Sequence, residues 1–166
     1  MTGLYNRNGF NGMFSEMLDK AAKSDMDTVV ILGDLNGLKY VNDTFGHIEG
    51  DELIKTAARS FNECKVNNAV SENNFRIGGD EFVKVAYGKL SDLDIDEFKS
   101  SIDKFLEKYN STSGKPYKVY IPIGVKVCDA KEPRNADALL SDADKLMYNE
   151  KLRIKTALGI DPAKRR

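Results

Sequence analysis

The stretch Phe75-Arg76-Ile77-Gly78-Gly79-Asp80-Glu81-Phe82 decides the fold, because two apolar, strand-like arms flank two glycines and two adjacent carboxylates. Glycine takes positive φ without steric cost, so the glycine pair predicts a tight β-hairpin turn. Asp80 and Glu81 then lie at the tip of that turn. Backbone without side chains beside paired acids can hold a divalent cation and a phosphate together, although a solvated hairpin turn has the same composition.

Outside the hairpin, the spacing of apolar residues predicts the other elements. Helices are predicted over 10–23, about 38–45, 53–61, 95–109 and 136–147. Strands are predicted over 29–32, 75–77, 82–87 and 117–128, and the polar segment 66–74 is predicted to be a loop. Asp94 and Glu97 occupy the positions of a helix cap and its partner. Pro122 predicts that the last strand lies at an edge of the sheet or contains a bulge, because proline donates no ladder hydrogen bond.

The resulting order, α-β-α-α-β-β-α-β-α, predicts an α+β sandwich in which a ferredoxin-like sheet carries helices on one face. A doubly wound parallel fold is disfavoured because the central hairpin is antiparallel. The 166 residues are enough for one domain, spanning 1–166, with a buried core. The abrupt opening Met1-Thr2-Gly3-Leu4 gives the expectation that the domain is a module of a longer protein.

Composition excludes several classes of function. With 25 basic and 26 acidic residues the chain lacks the basic excess of a nucleic-acid-binding surface, so no nucleic-acid partner is expected. Cys64 and Cys128 are too few for a disulfide framework and are predicted to be buried thiols in a reducing, cytoplasmic compartment. No apolar run approaches the length of a membrane span, so no membrane contact by this domain is expected.

The second informative stretch is Asp34-Leu35-Asn36-Gly37-Leu38-Lys39-Tyr40-Val41-Asn42-Asp43-Thr44-Phe45-Gly46-His47-Ile48-Glu49-Gly50-Asp51. It is not an EF-hand loop, because Leu38 and Phe45 stand where that loop needs oxygen ligands. The chain also lacks a phosphate-binding P-loop, since Gly88-Lys89 is followed by Leu90 instead of a hydroxyl residue.

Together the two stretches resemble the GGDEF domain family, the bacterial diguanylate cyclases. Further matches are the opening Thr2-Gly3-Leu4-Tyr5-Asn6-Arg7 and the C-terminal segment from Ala143-Asp144 to Lys151. The resemblance implies a nucleotide-cyclase-like central mixed antiparallel sheet with surrounding helices. It also implies an enzyme that joins two GTP molecules into cyclic di-GMP with release of two pyrophosphates. Each domain would hold one GTP, so catalysis would need a homodimer with Mg²⁺ or Mn²⁺, and the full protein would carry an attached sensory or regulatory domain.

The same resemblance implies roles for individual residues. The metal ligands would be Asp34, the carbonyl of Leu35, Asp80 and Glu81. The catalytic residues would be Asp80, as metal ligand and proton acceptor, Lys39 and Glu81. The substrate-binding residues would be Asn42, His47, Asp51, Gly78, Gly79, Lys151 and Lys155. Plainer alternatives are a helix cap for Asp34 and a solvated helix surface for the lysines, and Arg76 is predicted to be a structural ion-pair partner.

Some positions depart from the family pattern. Asn36 replaces an aspartate, Leu38 a phenylalanine and Lys155 an arginine. The planar guanidinium of arginine binds phosphate through two hydrogen bonds, so the lysine ammonium is expected to bind it less tightly. Ala69 and Glu72 stand where many members carry the arginine and aspartate of a product-binding site, so we expect no product inhibition through that site.

These departures leave a second function open, namely a catalytically weak GTP-binding module that regulates an attached domain. A cyclase that accepts ATP is disfavoured, because the carboxylate of Asp51 would repel the acceptor at N1 of adenine. A purely structural dimerisation domain would leave the cluster of site residues unexplained.

Overall fold

The computed structural model of the protein describes residues 2–159, apart from the side chain of Leu93. Its elements are α1 (Arg7–Lys23), β1 (Asp27–Asp34), α2 (Leu38–Phe45), α3 (His47–Glu63), β2 (Ala69–Arg76), β3 (Glu81–Gly88), α4 (Asp92–Thr112), β4 (Ile123–Cys128) and α5 (Ala136–Ala157). This is the order of helices and strands that the apolar spacing predicts. None of the helices within residues 2–159 is long and apolar enough to cross a lipid bilayer.

The four strands form one sheet in the order β2-β3-β1-β4, and every neighbouring pair is antiparallel. The α+β fold with an antiparallel sheet is therefore confirmed, as is the edge position of the last strand. β1 is central, with β3 on one side and β4 on the other. Its last residue, Asp34, lies opposite Glu81 at the start of β3. The register thus places the end of β1 beside the turn that joins β2 and β3.

Helices cover both faces of the sheet, so the prediction of helices on one face is wrong. Val29 and Ile31 of β1 face a core built with α3 and α4, whereas Val30 and Leu32 face a second core built with α1 and α5. Successive side chains of a strand point to opposite sides of the sheet, so this strand is buried on both faces. Its uninterrupted apolar run is the sequence pattern that such burial requires.

The predicted loop over 66–74 is wrong from Ala69 onward, where β2 begins. Its polar composition hides the strand, because the side chains of an edge strand can bind partners from neighbouring elements. Glu72 does so by pairing with Lys84 of β3. The backbone of β2 still forms a regular antiparallel ladder with β3 after an irregularity near its start.

The predicted strand over 117–128 is regular only over Ile123–Cys128. Pro122 precedes it and still accepts a hydrogen bond from the N–H of Asp34 at 3.2 Å. The segment before β4 therefore follows β1 without forming a regular ladder, since the proline nitrogen cannot donate.

The N-terminus of α4 is capped by Ser91, and the prediction of Asp94 as the cap is wrong. The Ser91 hydroxyl accepts from the Asp94 N–H, and the Asp94 carboxylate accepts from the Ser91 N–H at 2.8 Å, which is a capping box. Asp94 is therefore the partner of the cap, and Glu97, one turn later, accepts from Asn67 instead.

Glycine lets α5 approach the edge strand β4 closely. A Cβ atom on Gly124 would lie 2.0 Å from the carbonyl oxygen of Ala143 and 2.3 Å from the amide nitrogen of Met147. Glycine is needed here because a helix backbone lies directly against the strand. The contact sets the position of α5 along the sheet, and with it the side chains one turn beyond Met147.

Both cysteines are buried, as predicted, and neither forms a disulfide. Burial raises the pKa of the Cys64 and Cys128 thiols. Both groups are thus held in the protonated, unreactive form.

Candidate functional site

Two segments that are far apart in the sequence meet at the end of the central strand. The N–H of Leu35 donates to the carbonyl oxygen of Asp80 at 2.8 Å, and Asp34 lies opposite Glu81 in the register of β1 and β3. These contacts join the segment 34–51 to the acidic turn, which we define as residues 78–81. The two motifs that the sequence separates are therefore parts of one site.

Asp34 and Asp80 differ in their surroundings. Asp34 is half-buried and accepts a hydrogen bond from the Lys151 ammonium at 2.6 Å, whereas Asp80 is exposed. Their carboxylates and the Leu35 carbonyl are hard oxygen donors, which Mg²⁺ and Mn²⁺ prefer. The chemistry of these donors fits a divalent cation. Residues 2–159 contain no group of three or more His, Cys, Asp or Glu side chains arranged for a metal, so the remaining ligands would come from phosphate and water.

The Glu81 side chain contacts the N-terminal part of the chain. Its Oε2 atom lies 4.0 Å from the guanidinium of Arg7, and a Cβ atom on Gly78 would lie 2.3 Å from the same oxygen. Arg7 in turn donates from Nε to the carbonyl oxygen of Ile77 at 2.8 Å. In this arrangement Glu81 supports the acidic turn, and its part in metal binding stays a prediction.

Neither Gly78 nor Gly79 takes the positive φ that the hairpin predicts. Gly79 is exposed, and a Cβ atom there would meet no atom within 4 Å, so a bound group can approach its backbone. The carbonyl oxygen of Gly79 accepts from Nη2 of Arg76 at 2.6 Å and from Nε at 3.2 Å. The sequence predicts that Arg76 is an ion-pair partner; within the described residues it instead holds the turn through these two hydrogen bonds to the Gly79 carbonyl.

A cavity of about 300 Å³ opens beside the acidic turn. It is lined by residues of α2, the start of α3 and the turn: Leu38, Lys39, Asn42, Asp43, His47, Gly79 and Asp80. The cavity therefore brings Lys39, Asn42 and His47 to the same place as Asp80. Larger cavities of about 500 and about 670 Å³ lie along α4 and α5, but none of the predicted site residues lines them.

Lys39 is the predicted catalytic lysine, and it lies on the surface of α2. Its side chain is 89% exposed and pairs with Asp43 at 2.6 Å, one turn along α2. An exposed pair at this spacing contributes only about 0.3–0.5 kcal/mol, so the ammonium can leave it for a stronger anionic partner.

Asn42 packs on the backbone of α3. A Cβ atom on Gly50 would lie 1.9 Å from Oδ1 of Asn42, so the missing side chain makes room for the amide. Asp51, the next residue, is half-buried in the second turn of α3. The two helices meet at Gly46, whose φ of 88° would strain any other residue. The junction of α2 and α3 at Gly46 thus holds Asn42 against Gly50, the residue before Asp51.

A network that the sequence analysis missed holds this corner. Glu49, in the first turn of α3, accepts from Lys115 Nζ at 2.7 Å and from Tyr117 Oη at 2.6 Å. These hydrogen bonds lower the pKa of the Glu49 carboxyl, and burial raises the pKa of the Tyr117 hydroxyl. The Tyr117 ring also packs on Phe45, with centroids 5.6 Å apart. No local pattern indicates this pairing, because its members lie on distant segments of the chain.

The two lysines predicted to hold a triphosphate lie one turn apart on α5. The Lys151 ammonium donates to the carboxylate of Asp34, so Lys151 lies at the C-terminal end of β1. Lys155 is half-buried one turn farther along the helix. Residues at this spacing share one face of a helix, so both lie on the side of α5 that Lys151 turns toward the site.

Glu72, at a position where many family members have a product-binding residue, belongs to a structural ion pair. Glu72 accepts from Lys84 Nζ at 2.9 Å and from the N–H of Val66 at 3.0 Å. Burial alone would raise the pKa of Glu72, but the hydrogen bonds from Val66 and Lys84 outweigh it and lower the pKa. Lys84 is fully buried, with its ammonium 5.5 Å from the centre of the Phe98 ring, and burial lowers its pKa. Glu72 therefore has a structural task as the partner of the buried Lys84.

Known proteins were compared with this chain by sequence. The profile of the family described as "Diguanylate cyclase, GGDEF domain" matches residues 1–156. The chain is 26% identical over 165 residues to an uncharacterized membrane protein of Staphylococcus aureus strain USA300, covering 98% of this chain and 45% of that protein. It thus spans less than half the length of the curated relatives that it matches.

Solved structures share the fold. A truncated form of Pseudomonas aeruginosa PA1120 (TpbB or YfiN) comprising only the GGDEF domain has a TM-score of 0.76 at 28% identity, over 92% of this chain and 87% of that chain. Diguanylate cyclase SiaD from Pseudomonas aeruginosa, in complex with its activator SiaC, has a TM-score of 0.77 at 21% identity, over 92% of this chain and 56% of that chain. Since the family profile covers almost all of the sequence, the chain belongs to the diguanylate cyclase GGDEF domain family.

Proposed function

We propose that the chain is an active diguanylate cyclase domain, which condenses two GTP molecules into cyclic di-GMP and releases two pyrophosphates. One observation carries the proposal: the Leu35–Asp80 hydrogen bond joins the end of β1 to the acidic turn, whose Asp80 lines one cavity together with Lys39, Asn42 and His47. Residues suited to a phosphate–metal group, Lys39 and Asp80, and residues suited to a base, Asn42 and His47, therefore line the same cavity. Nucleotidyl transfer needs such an arrangement, because catalysis depends on positioning and charge neutralisation.

The proposed reaction is attack of the ribose 3′-hydroxyl of one GTP on the α-phosphorus of the other, with pyrophosphate as the leaving group. Mg²⁺ or Mn²⁺, held by Asp34, the Leu35 carbonyl and Asp80, would neutralise phosphate charge and lower the pKa of the attacking hydroxyl. Asp80 accepts the hydroxyl proton. Glu81 is the second acid beside it. A second transfer in the opposite sense closes the ring and releases the second pyrophosphate.

Base and phosphates are bound by different parts of the site in this proposal. Asn42 and Asp51 accept hydrogen bonds from N1–H and the 2-amino group of guanine, with His47 beside them. The open backbone at Gly79, with Gly78 beside it, would lie along the phosphates. The phosphate-neutralising cations are Lys39, Lys151 and Lys155.

Catalysis requires a homodimer in this proposal, because each domain holds one GTP and the reaction joins two. We therefore expect the rate per subunit to fall on dilution. We also propose an attached regulatory domain, consistent with the greater length of the Staphylococcus aureus relative. Buried, protonated thiols and a GTP substrate support a cytoplasmic position for the domain.

The test is incubation of the protein at high concentration with GTP and Mg²⁺, followed by chromatographic separation of the products. The expected product is cyclic di-GMP, formed at a rate per subunit that declines on dilution. GTP left intact by a protein that binds it would overturn the proposal and favour a GTP-binding module that regulates an attached domain. Asn36, and the pairing of Lys39 with Asp43, are the observations that support this second function.

The product is not expected to inhibit the enzyme through positions 69 to 72. Ala69 supplies no guanidinium, and the carboxylate of Glu72 is taken by Lys84 and the Val66 N–H. A titration of the initial rate with cyclic di-GMP checks this. Strong inhibition that is abolished by substitutions at Ala69 or Glu72 would contradict it.

A further inference from the structure

The contact between Lys151 and Asp34 joins two residues to which the proposed function gives separate tasks. Lys151 Nζ donates to Asp34 Oδ2 at 2.6 Å, and the two side chains are only 25% and 18% exposed. In the proposed function Asp34 binds the cation and Lys151 binds phosphate. In the structure, each of them is the partner of the other.

The packing of α5 brings Lys151 to Asp34. The backbone of α5 lies directly on Gly124 of β4 at Ala143 and Met147, and Lys151 follows one turn later on the same helix face. Its ammonium is thereby directed to the end of β1. Because both groups are largely withdrawn from water, their attraction is stronger than that of an exposed pair.

A divalent cation bound to Asp34 would lie close to the Lys151 ammonium. The lysine neutralises the carboxylate that would attract the cation, and its positive charge repels a dication at the same oxygen. A nucleotide triphosphate removes both obstacles, because its phosphates offer Lys151 a new anionic partner within reach of the same corner.

We propose that Lys151 is a counter-ion latch on Asp34: it opposes binding of a divalent cation alone and moves to the phosphates when cation and nucleotide bind together. This inference rests on the proposed function of the site. Its thermodynamic consequence is positive coupling between cation and nucleotide, which linkage makes reciprocal. The protein would therefore not hold the cation tightly before GTP arrives.

Lys155 provides a matched comparison on the same helix. It has the same charge, lies one turn beyond Lys151 and has the same proposed task toward the triphosphate. The hydrogen bond to Asp34, however, comes from Lys151. Both lysines would contribute to nucleotide binding, but only Lys151 would restrain the cation.

The experiment is a titration with Mn²⁺, followed by the electron paramagnetic resonance signal of the free ion, on the wild-type protein, Lys151→Met and Lys155→Met. Each titration is done without nucleotide and with a GTP analogue that carries a methylene bridge between the α- and β-phosphates. Without nucleotide, Lys151→Met should bind Mn²⁺ at least about fivefold more tightly than the wild type, and Lys155→Met within about twofold of it. The analogue should tighten Mn²⁺ binding to the wild type and to Lys155→Met, but much less to Lys151→Met.

Equal Mn²⁺ affinity of the wild type and Lys151→Met would overturn the latch while leaving the proposed function intact. If, without nucleotide, Lys155→Met gained as much Mn²⁺ affinity as Lys151→Met, the latch would also be overturned. The gain would then come from the loss of any nearby positive charge. No binding of Mn²⁺ with the analogue to any of the three proteins would overturn the proposed function together with the latch. Lys151→Gln removes the charge but keeps a hydrogen-bond donor for Asp34, so it gives the same test should Lys151→Met fail to fold.

Discussion

Two lysine–carboxylate pairs connect the central strands of this protein to other elements, and their surroundings differ. Lys151 reaches Asp34 from α5, at the end of β1 and close to the cavity beside the acidic turn. Lys84 of β3 reaches Glu72 of the edge strand β2 at 2.9 Å, midway along the two strands. The first ammonium retains some exposure to water, whereas the second is fully buried beside Phe98.

The difference shows how position along a strand decides the use of an ion pair. At the end of a strand, a cation or a phosphate can enter and replace one partner. At the other pair the Lys84 ammonium is fully buried, and Glu72 is held further by the N–H of Val66. We therefore expect changes at the strand end to alter binding and turnover with little effect on stability, and changes at the buried pair to do the reverse.

The largest expected effect is that of Asp80→Ala on turnover. Loss of the proposed metal ligand and proton acceptor should lower the rate by at least about 1000-fold. Thermal unfolding should change little, because Asp80 is exposed on a turn. Cyclic di-GMP formation and a melting curve measure the two effects. Asp19→Ala, which removes an exposed carboxylate from α1, is the control, and retained turnover in Asp80→Ala would remove this residue from the mechanism.

Glu72→Ala should give the opposite result. It leaves the buried Lys84 ammonium without its carboxylate, which costs about 3 kcal/mol of unfolding free energy. Urea unfolding measures the loss, and turnover per folded molecule should stay at the wild-type value. Adding Lys84→Met should restore most of the stability, since the buried charge is then absent. A loss below about 1 kcal/mol in Glu72→Ala would mean that the pair is not structural.

Gly50→Ala tests the corner between α2 and α3. The new methyl group would displace the Asn42 amide, so we expect GTP affinity to fall by about tenfold, the equivalent of one hydrogen bond. Stability should not fall, because alanine favours a helix over glycine by about 1 kcal/mol. Gly12→Ala is the control, since its Cβ atom in α1 would meet nothing within 4 Å. Calorimetric titration with GTP and a melting curve check both effects, and unchanged affinity would contradict the proposed role of Asn42.

The smallest expected effect is the pH dependence of the buried pair. The folded-state pKa of Glu72 lies below its ordinary value of 4.5, so its contribution to stability is present above pH 4.5 and is lost as the pH falls through the folded pKa. The stability difference between the wild type and Glu72→Gln should therefore narrow as the pH falls from 4.5 through the folded pKa, because protonation makes Glu72 neutral, as glutamine already is. Urea unfolding from pH 7 to 3 measures it. A difference that stays constant over this range would contradict the role of the ionised carboxylate.

Much of the fold could be predicted, because the information lies within single elements. The apolar run of β1, the helical spacing in α1 and α4 and the glycine-rich hairpin are local patterns. The wrong predictions concern partners that are distant in the sequence. The polar side chains of β2 indicate a loop because their partners lie on other elements, and the second helix layer follows from how the strands assemble.

The sequence by itself determined the family and the identity of the candidate site residues, since its motifs keep most of the family's acids and glycines in order despite the departures at Asn36, Leu38 and Lys155. Only the tertiary structure decided their contacts, such as the bond from Lys151 to Asp34 and the clamp from Arg76 on Gly79. The physical reason is that helix and strand periodicity depend on neighbouring residues, whereas an ion pair depends on the packing of elements brought together by folding. Gly124 shows this, because its lack of a side chain positions a helix whose lysine acts at the end of another strand.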